Sequence, residues 1–318
     1  MRDYILKRLG LMIVTAMLII FLVFVFIKLL PDYQEAVLGS NPANADWIKQ
    51  REGYDKPILE QFGIWISNIF VHGEFGWSVT KNQDAAAVLG ERIPVTVRIN
   101  IIPYLISIPI GFALGIWSAL KKNKFTDHAI SLGVVFFISV PGFVVATLLQ
   151  YFLGYKWNIL PPMLASSVEV QANPALAITS MILPTLALTF GSVASLTRVT
   201  RAELTEVLTS DFMLLCRTKG LTRKQATVRH ALRNSMVPLA PSIIGGFVSI
   251  LSGSLIIERI FRVPGIGGVF LEGISGRDYP LVMTVMMFYT VIGLLTTLVI
   301  DLSYGIIDPR IRMGGGKR

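Results

Sequence analysis

The sequence has 318 residues, of which 53% are apolar and only 15% are charged, with a mean hydropathy of +0.62 and a formal net charge of +9. Charged residues make up about 25% of a typical soluble domain, so this composition excludes an ordinary soluble enzyme and also a disordered chain. The single cysteine, Cys216, excludes a disulfide framework and a cysteine-based zinc site.

Six apolar stretches are each long enough for a membrane helix, which needs about 20 mostly apolar residues. The first stretch has a basic start, but its 22 apolar residues exceed the apolar core of a signal peptide, so we predict a retained helix. The pattern predicts an all-α polytopic membrane protein with six transmembrane helices. The predicted spans are 9–30, 99–120, 129–153, 175–196, 237–257 and 281–307.

The distribution of charge predicts the orientation in the membrane. The N-terminus, 121–128, 198–236 and 308–318 carry 18 Lys and Arg against 6 Asp and Glu, a formal charge of +12. The segments between them, 31–98, 154–174 and 258–280, carry 10 against 13, a charge of −3. Because Lys and Arg accumulate on the cytoplasmic side, both termini are predicted to be cytoplasmic. The basic excess is thus a topology signal, and no nucleic acid partner is predicted.

The segment 31–98 is predicted to lie outside the cell and to contain an amphipathic helix over 57–70. Apolar residues recur there at helical spacing, and Pro57 suits a first-turn position. Such a helix either lies on the bundle or in the headgroup zone, or forms a docking surface for an external partner. The outer segment 258–280 is short and apolar, which favours a packed or partly re-entrant turn.

The inner segment 198–236 is predicted to continue the fourth span and then to form two short helices with a tight break. Ser210 or Asp211 can cap the first helix, and Gly220 is a natural stop because glycine accepts a left-handed backbone. Thr222 and Gln225 match a capping box for the second helix, which is expected to end near Asn234.

Ionisable and small residues inside the predicted spans have mainly structural interpretations. Lys28 lies near a helix end, where its long side chain can reach the interface. Asp301 is expected to pair with an arginine or to cap backbone groups. Gly111 and Gly115 match a small-residue contact pattern, which favours packing within the chain over a dimer contact.

The sequence contains no catalytic or metal-binding pattern. It has no Walker-type phosphate loop and no His-Glu-x-x-His, and its three histidines are far apart. Catalytic residues, metal ligands and bound cofactors are therefore all predicted to be absent from this chain. Since the spans also lack an ion relay, the chain is predicted to obtain its energy from a partner.

Several separated motifs, in order, resemble the B-type permease subunit of the oligopeptide, dipeptide and nickel branch of binding-protein-dependent ABC importers. The inner loop carries Asp211-Phe212, Lys219-Gly220-Leu221 and Arg229-His230-Ala231-Leu232-Arg233-Asn234. The other matches are Tyr4-Ile5-Leu6-Lys7-Arg8, Asp55-Lys56-Pro57, Arg92-Ile93-Pro94-Val95-Thr96, Ser139-Val140-Pro141, Arg277-Asp278-Tyr279-Pro280 and Ile307-Asp308-Pro309-Arg310.

The resemblance implies a type I ABC importer permease fold in the prokaryotic cytoplasmic membrane. It implies a second homologous permease subunit, two cytoplasmic ATPase subunits that hold ATP and Mg, and an extracellular or periplasmic substrate-binding protein. In domain terms it implies an N-terminal helix (1–30), an extracellular segment (31–98), a five-helix core (99–307) that contains the coupling loop 198–236, and a cytoplasmic tail (308–318).

The resemblance also implies that the short helix ending at Gly220 couples the permease to an ATPase. The coupling residues it implies are Asp211, Phe212, Leu215, Cys216, Arg217, Lys219, Gly220 and Leu221, with Phe212, Leu215 and Cys216 as the inserted apolar face. Leu214-Leu215-Cys216 stands where the family has Glu-Ala-Ala. The helix could instead only pack under the bundle. The substrate class is a peptide or, alternatively, nickel or another small solute. A secondary transporter, a channel or a membrane enzyme are weaker alternatives, and the residues that line the pathway are unknown.

Overall fold

The computed structural model describes residues 2–31 and 53–307, and most of these residues are helical. Predictions on 308–318, and on most of the first half of the outer segment, lie outside the described residues. A short antiparallel pair, β1 (Trp77–Ser78) and β2 (Gln83–Asp84), precedes the third helix. The helices are α1 (Arg2–Lys28), α2 (Ile58–Ser67), α3 (Ala85–Leu120), α4 (Phe125–Ser139), α5 (Gly142–Leu149), α6 (Ser167–Ala172), α7 (Leu176–Thr209), α8 (Asp211–Thr218), α9 (Arg223–Met236), α10 (Ala240–Ser252), α11 (Leu255–Ile260), α12 (Ile266–Ser275) and α13 (Tyr279–Ile307). The chain continues in π-helical turns after α2 and α5, and a π-helical turn lies within α9.

The described residues contain four to six candidate membrane spans, which is consistent with the six predicted spans. Among the described residues, four helices are long and apolar enough to cross a membrane: the stretch Ile5–Lys28 of α1, and α3, α7 and α13. The count rises to six if two bent pairs are each one span. The third predicted span is bent by 96° between α4 and α5, and α9 meets α10 at 47°. The first bend lies at Pro141, because the residue before a proline is driven out of the helical conformation.

The second span begins earlier than its apolar stretch suggests. Its helix α3 starts at Ala85 and not near 99, and runs for 36 residues. The carboxylate of Asp84 accepts a hydrogen bond of 2.8 Å from the Ala86 backbone N–H, which caps the first turn. The prediction missed this start because the first turns of α3 contain charged residues and so do not look like a membrane span.

Among the described residues, one compact unit contains 2–31, 53–96, 251–255 and 264–295. Within it the apolar face of α2 packs against α1, where Phe62 and Trp65 are buried beside the ring of Phe24. The ammonium of Lys28 lies 4.0 Å from the ring centre of Tyr54, a cation–π contact that supports its structural interpretation. The predicted amphipathic helix therefore exists, and its apolar face is used for packing within the chain.

A buried carboxylate fastens the strand pair of this unit to the start of α13. Asp278 is 1% exposed, and its Oδ2 accepts from the Ser78 hydroxyl at 2.6 Å and the Thr80 hydroxyl at 2.7 Å. Its Oδ1 accepts from the Leu281 N–H at 3.3 Å, so the same side chain caps α13. One buried carboxylate thus accepts from its own helix start and from Thr80, which is 198 residues away in sequence.

The other unit contains, of the residues that the structure describes, 97–250, 256–263 and 296–307, and α7 is its longest helix. Gly111 and Gly115 of α3 pack directly on Leu196 and Thr200 of α7, and a Cβ at Gly115 would lie 2.6 Å from the Thr200 side chain. The small-residue pair is therefore a contact within the chain, as predicted. A buried proline, Pro184, interrupts α7 one quarter of the way along it.

We expect Asp278→Asn to lower the free energy of unfolding by about 2–4 kcal/mol, because the buried neutral amide loses the charge-assisted hydrogen bonds from the Ser78 and Thr80 hydroxyls. Titration of the purified full chain with a denaturing detergent measures this loss. The matched control is Glu272→Gln, which breaks the more exposed ion pair with Lys81 and should cost less than about 1 kcal/mol. Equal losses for the two variants would contradict the proposed importance of this carboxylate.

Candidate coupling site

Helix α8 is held against α7 and α9 by two of its own side chains. Met213 and Cys216 are each 6% exposed and pack with Leu204 of α7 and Ala226 of α9 in one apolar cluster. The three-residue spacing puts both side chains on one helix face. The prediction that Cys216 belongs to an outward apolar face is therefore wrong: its side chain is part of the chain's own core.

The outward face of α8 is apolar as well. Phe212, Leu214 and Leu215 are 37%, 60% and 51% exposed. Phe212 lies edge-on to the ring of His230 in α9, with the ring centres 6.1 Å apart. Asp211, Arg217 and Lys219 are exposed around these residues. A short helix that is anchored by two apolar residues and still presents three others has an outward surface suited to contact with a partner.

The end of α8 is a Schellman motif centred on Gly220. Gly220 has a φ of +86°, the left-handed region that favours glycine, as predicted. The Leu221 N–H donates to the Cys216 carbonyl at 3.2 Å and the Gly220 N–H to the Arg217 carbonyl at 3.0 Å. Leu221 also packs on the cluster that contains Cys216, which is the apolar contact typical of this motif. The hydrogen bonds and the apolar contact therefore fix the direction in which the chain leaves α8 toward α9.

The two helix starts around this break differ from each other. The predicted capping box of α9 is present, with the Thr222 hydroxyl accepting from the Gln225 N–H and the Gln225 side chain accepting from the Thr222 N–H. The predicted side-chain cap of α8 is not formed. The hydroxyl of Ser210 donates instead to the Val207 carbonyl at 2.7 Å, since it closes the end of α7.

A buried ion pair fixes the part of α7 from which α8 extends. Asp127 of α4 is 1% exposed, and its two carboxylate oxygens accept from the guanidinium of Arg201 at 2.6 and 2.8 Å. The same carboxylate accepts from the Ser118 hydroxyl at 2.5 Å and the Asn123 N–H at 2.9 Å. It thus joins the end of α3, the following turn, the start of α4 and the last third of α7. This pair was not predicted, because two charges 74 positions apart carry no spacing signal.

No group of three or more His, Cys, Asp or Glu side chains within 2–31 and 53–307 is arranged to hold a metal ion. What the arrangement offers is a rigid, exposed apolar contact surface at one end of a long helix.

Comparison with known protein families gives two matches that together cover nearly the whole chain. Residues 111–313 match the family described as binding-protein-dependent transport system inner membrane component. Residues 1–100 match the N-terminal region of the corresponding membrane component.

Curated relatives are similar over 98% of this chain. The dipeptide transport system permease protein DppB of Lactococcus lactis is 35% identical, with 100% of its length covered, and that of Bacillus subtilis is 36% identical, with 99% covered. The glutathione transport system permease protein GsiC of Escherichia coli is 30% identical, with 99% covered.

We expect Arg201→Met to destabilise the chain by about 3–5 kcal/mol, because it leaves the buried Asp127 carboxylate without its counter-charge. The double variant Asp127→Asn with Arg201→Met should regain part of this loss, since it removes the buried charge itself. Denaturing-detergent titration of the full chain measures both values. Arg198→Met, on the same helix but exposed, is the control; a loss for Arg201→Met no greater than for this control would refute the assignment.

Proposed function

Because the chain belongs to the binding-protein-dependent transport system inner membrane component family, we propose that it is a permease subunit that forms a membrane pathway for peptides. Relatives named for dipeptide and glutathione transport support a peptide substrate over nickel or another small solute. The chain is a transport permease and not an enzyme. A homologous second permease subunit completes the pathway in this proposal.

The energy for transport comes, in this proposal, from two separate ATPase subunits that bind ATP and Mg. The sequence of this chain has no phosphate-binding loop. A substrate-binding protein delivers the peptide on the outer side, and both termini face the cytoplasm. The segments placed on the cytoplasmic side carry a formal charge of +12 and those placed outside carry −3, and this excess of positive charge supports the orientation.

The observation that carries the proposal is the exposed apolar face of α8. Phe212, Leu214 and Leu215 present an apolar surface that 2–31 and 53–307 leave uncovered, with Asp211, Arg217 and Lys219 around it. We assign this surface to a groove on an ATPase subunit. Cys216, Gly220 and Leu221 support this surface indirectly. Cys216 and Leu221 pack α8 against the rest of the chain, and Gly220 ends the helix with its left-handed backbone.

A transport measurement tests the function. The chain is reconstituted in vesicles with its companion permease and ATPase subunits, and its binding protein is added outside. We expect uptake of labelled di- or tripeptide that requires ATP and both permease subunits. ATP-dependent uptake of nickel without peptide uptake would contradict the substrate class, and peptide uptake driven by an ion gradient without ATP would contradict the mechanism.

We expect Phe212→Asp to weaken ATPase binding at least tenfold. Docking buries only the 37% of Phe212 that is exposed, which is part of the about 1.5–3 kcal/mol for a whole phenylalanine. The substituted carboxylate would in addition be stranded in an apolar contact, and the two costs together exceed the about 1.4 kcal/mol of a tenfold change. Co-purification of the ATPase subunits with the permease, followed by peptide-stimulated ATP hydrolysis, measures the effect. Val168→Asp places the same charge at an exposed apolar position of α6 and should leave ATPase capture unchanged.

Gly220 gives an independent test of the same surface. Nothing lies within 4 Å of the Cβ position of Gly220, so a side chain there acts through backbone strain alone. Gly220→Val should therefore impair coupling, whereas Gly220→Asn should impair it less, because asparagine tolerates a positive φ. If Phe212→Asp and Gly220→Val both bind the ATPases and transport at the native rate, α8 does not carry the coupling.

A further inference from the structure

A basic groove lies beside the end of α3, between the 121–124 turn and helices α7 and α9. The side chains that give it charge are Lys122, Lys124, Arg223 and Lys224, and no carboxylate is among the residues that line it. None of the four has an ion-pair partner in the described part of the chain. The groove therefore holds a concentrated, uncompensated positive charge.

The apolar residues in and around the groove place it at a membrane boundary. Leu120 and Val228 line it and are 48% and 59% exposed. The turn is flanked by Trp117, 52% exposed, and by Phe125, 87% exposed. Because α3 is a candidate membrane span that ends at Leu120, these exposed apolar side chains mark the level where hydrocarbon meets the headgroups.

A hydroxyl in the groove lacks a hydrogen-bond partner. Thr205 of α7 lines the groove, and its Oγ1 is buried with no partner in the structure. Nearby threonines behave differently: the Thr209 hydroxyl donates to the Thr205 carbonyl at 3.0 Å, and that of Thr227 to the Arg223 carbonyl at 2.9 Å. A buried hydroxyl without a partner is unfavourable, and a rotation of the Thr205 side chain about χ1 would turn it toward an acceptor atom bound in the groove.

We propose that this groove binds the phosphate headgroup of an anionic phospholipid. Lys122 and Lys124 from one side and Arg223 and Lys224 from the other attract the phosphodiester, and Thr205 donates to one of its oxygens. An acyl chain leaves along Leu120 toward the hydrocarbon. The exposed apolar residues around the turn favour a lipid over a soluble acidic protein, which would leave them in water. This site goes beyond the proposed function, since peptide transport does not require it.

The test counts bound lipid on the assembled importer by native mass spectrometry. The complex is purified in detergent, stripped of lipid, and titrated with phosphatidylglycerol and, separately, with zwitterionic phosphatidylcholine. We expect one tight phosphatidylglycerol site per copy of this chain and no tight phosphatidylcholine site. Lys122→Gln with Lys124→Gln should raise the Kd about twenty-five-fold, at roughly fivefold for each lysine. Thr205→Val, which keeps the shape of the side chain, should raise it less.

The matched control removes two positive charges outside the groove, by Lys121→Gln with Arg229→Gln. A similar loss of lipid in this control, or unchanged affinity in the groove variant, would overturn the site. An acidic surface of an ATPase subunit is the competing occupant. If the assembled complex binds no phosphatidylglycerol, while Lys122→Gln with Lys124→Gln weakens ATPase capture, the groove is a protein interface and the proposal is wrong.

Discussion

The carboxylate of Asp127 holds together the end of the protein on which coupling depends. It is almost completely buried, yet it is surrounded by a hydroxyl, a backbone N–H and a bidentate guanidinium. A buried charge is tolerated only when its lone pairs are satisfied in this way, so the geometry of α3, α4 and α7 at this point is tightly specified. Helix α8 begins two residues after α7 ends, so the position of α8 is set by the position of the end of α7.

A second buried carboxylate with several hydrogen-bond donors lies in the other unit, where Asp278 joins the strand pair to the start of α13. In both places a helix-start carboxylate collects donors that are distant in sequence. Apolar packing between membrane helices is weakly directional, because lipid tails are as apolar as the side chains they would replace. Two buried charges therefore supply directional contacts that the apolar surfaces do not.

Much of the fold could be predicted from the sequence because its signals are local. Apolar length identified the spans, Gly220 identified the break, and the Thr222–Gln225 spacing identified a helix start. Other features depend on contacts between distant segments. The orientation of Cys216 was mistaken, because an eight-residue helix with apolar residues on two faces does not show which face is inward. The Asp127–Arg201 pair is likewise set by tertiary packing, which local patterns do not report. The 96° bend has a local cause at Pro141, but Pro184 lies inside a continuous helix, so a proline alone does not predict such a bend.

Helix α7 also has a mechanical property. From Pro184 to Thr209 it is an uninterrupted rod of about 38 Å at about 1.5 Å per residue. A proline lacks the N–H that would complete the helix ladder, so the rod is most easily bent at that residue. A tilt of about 5° there displaces the far end by about 3 Å, a movement of the size of a side-chain contact. Because the Asp127–Arg201 pair ties α3 and α4 to this part of α7, a small sideways displacement of α8 would move these helices together, and Pro184 is the point of α7 at which the rotation would be taken up.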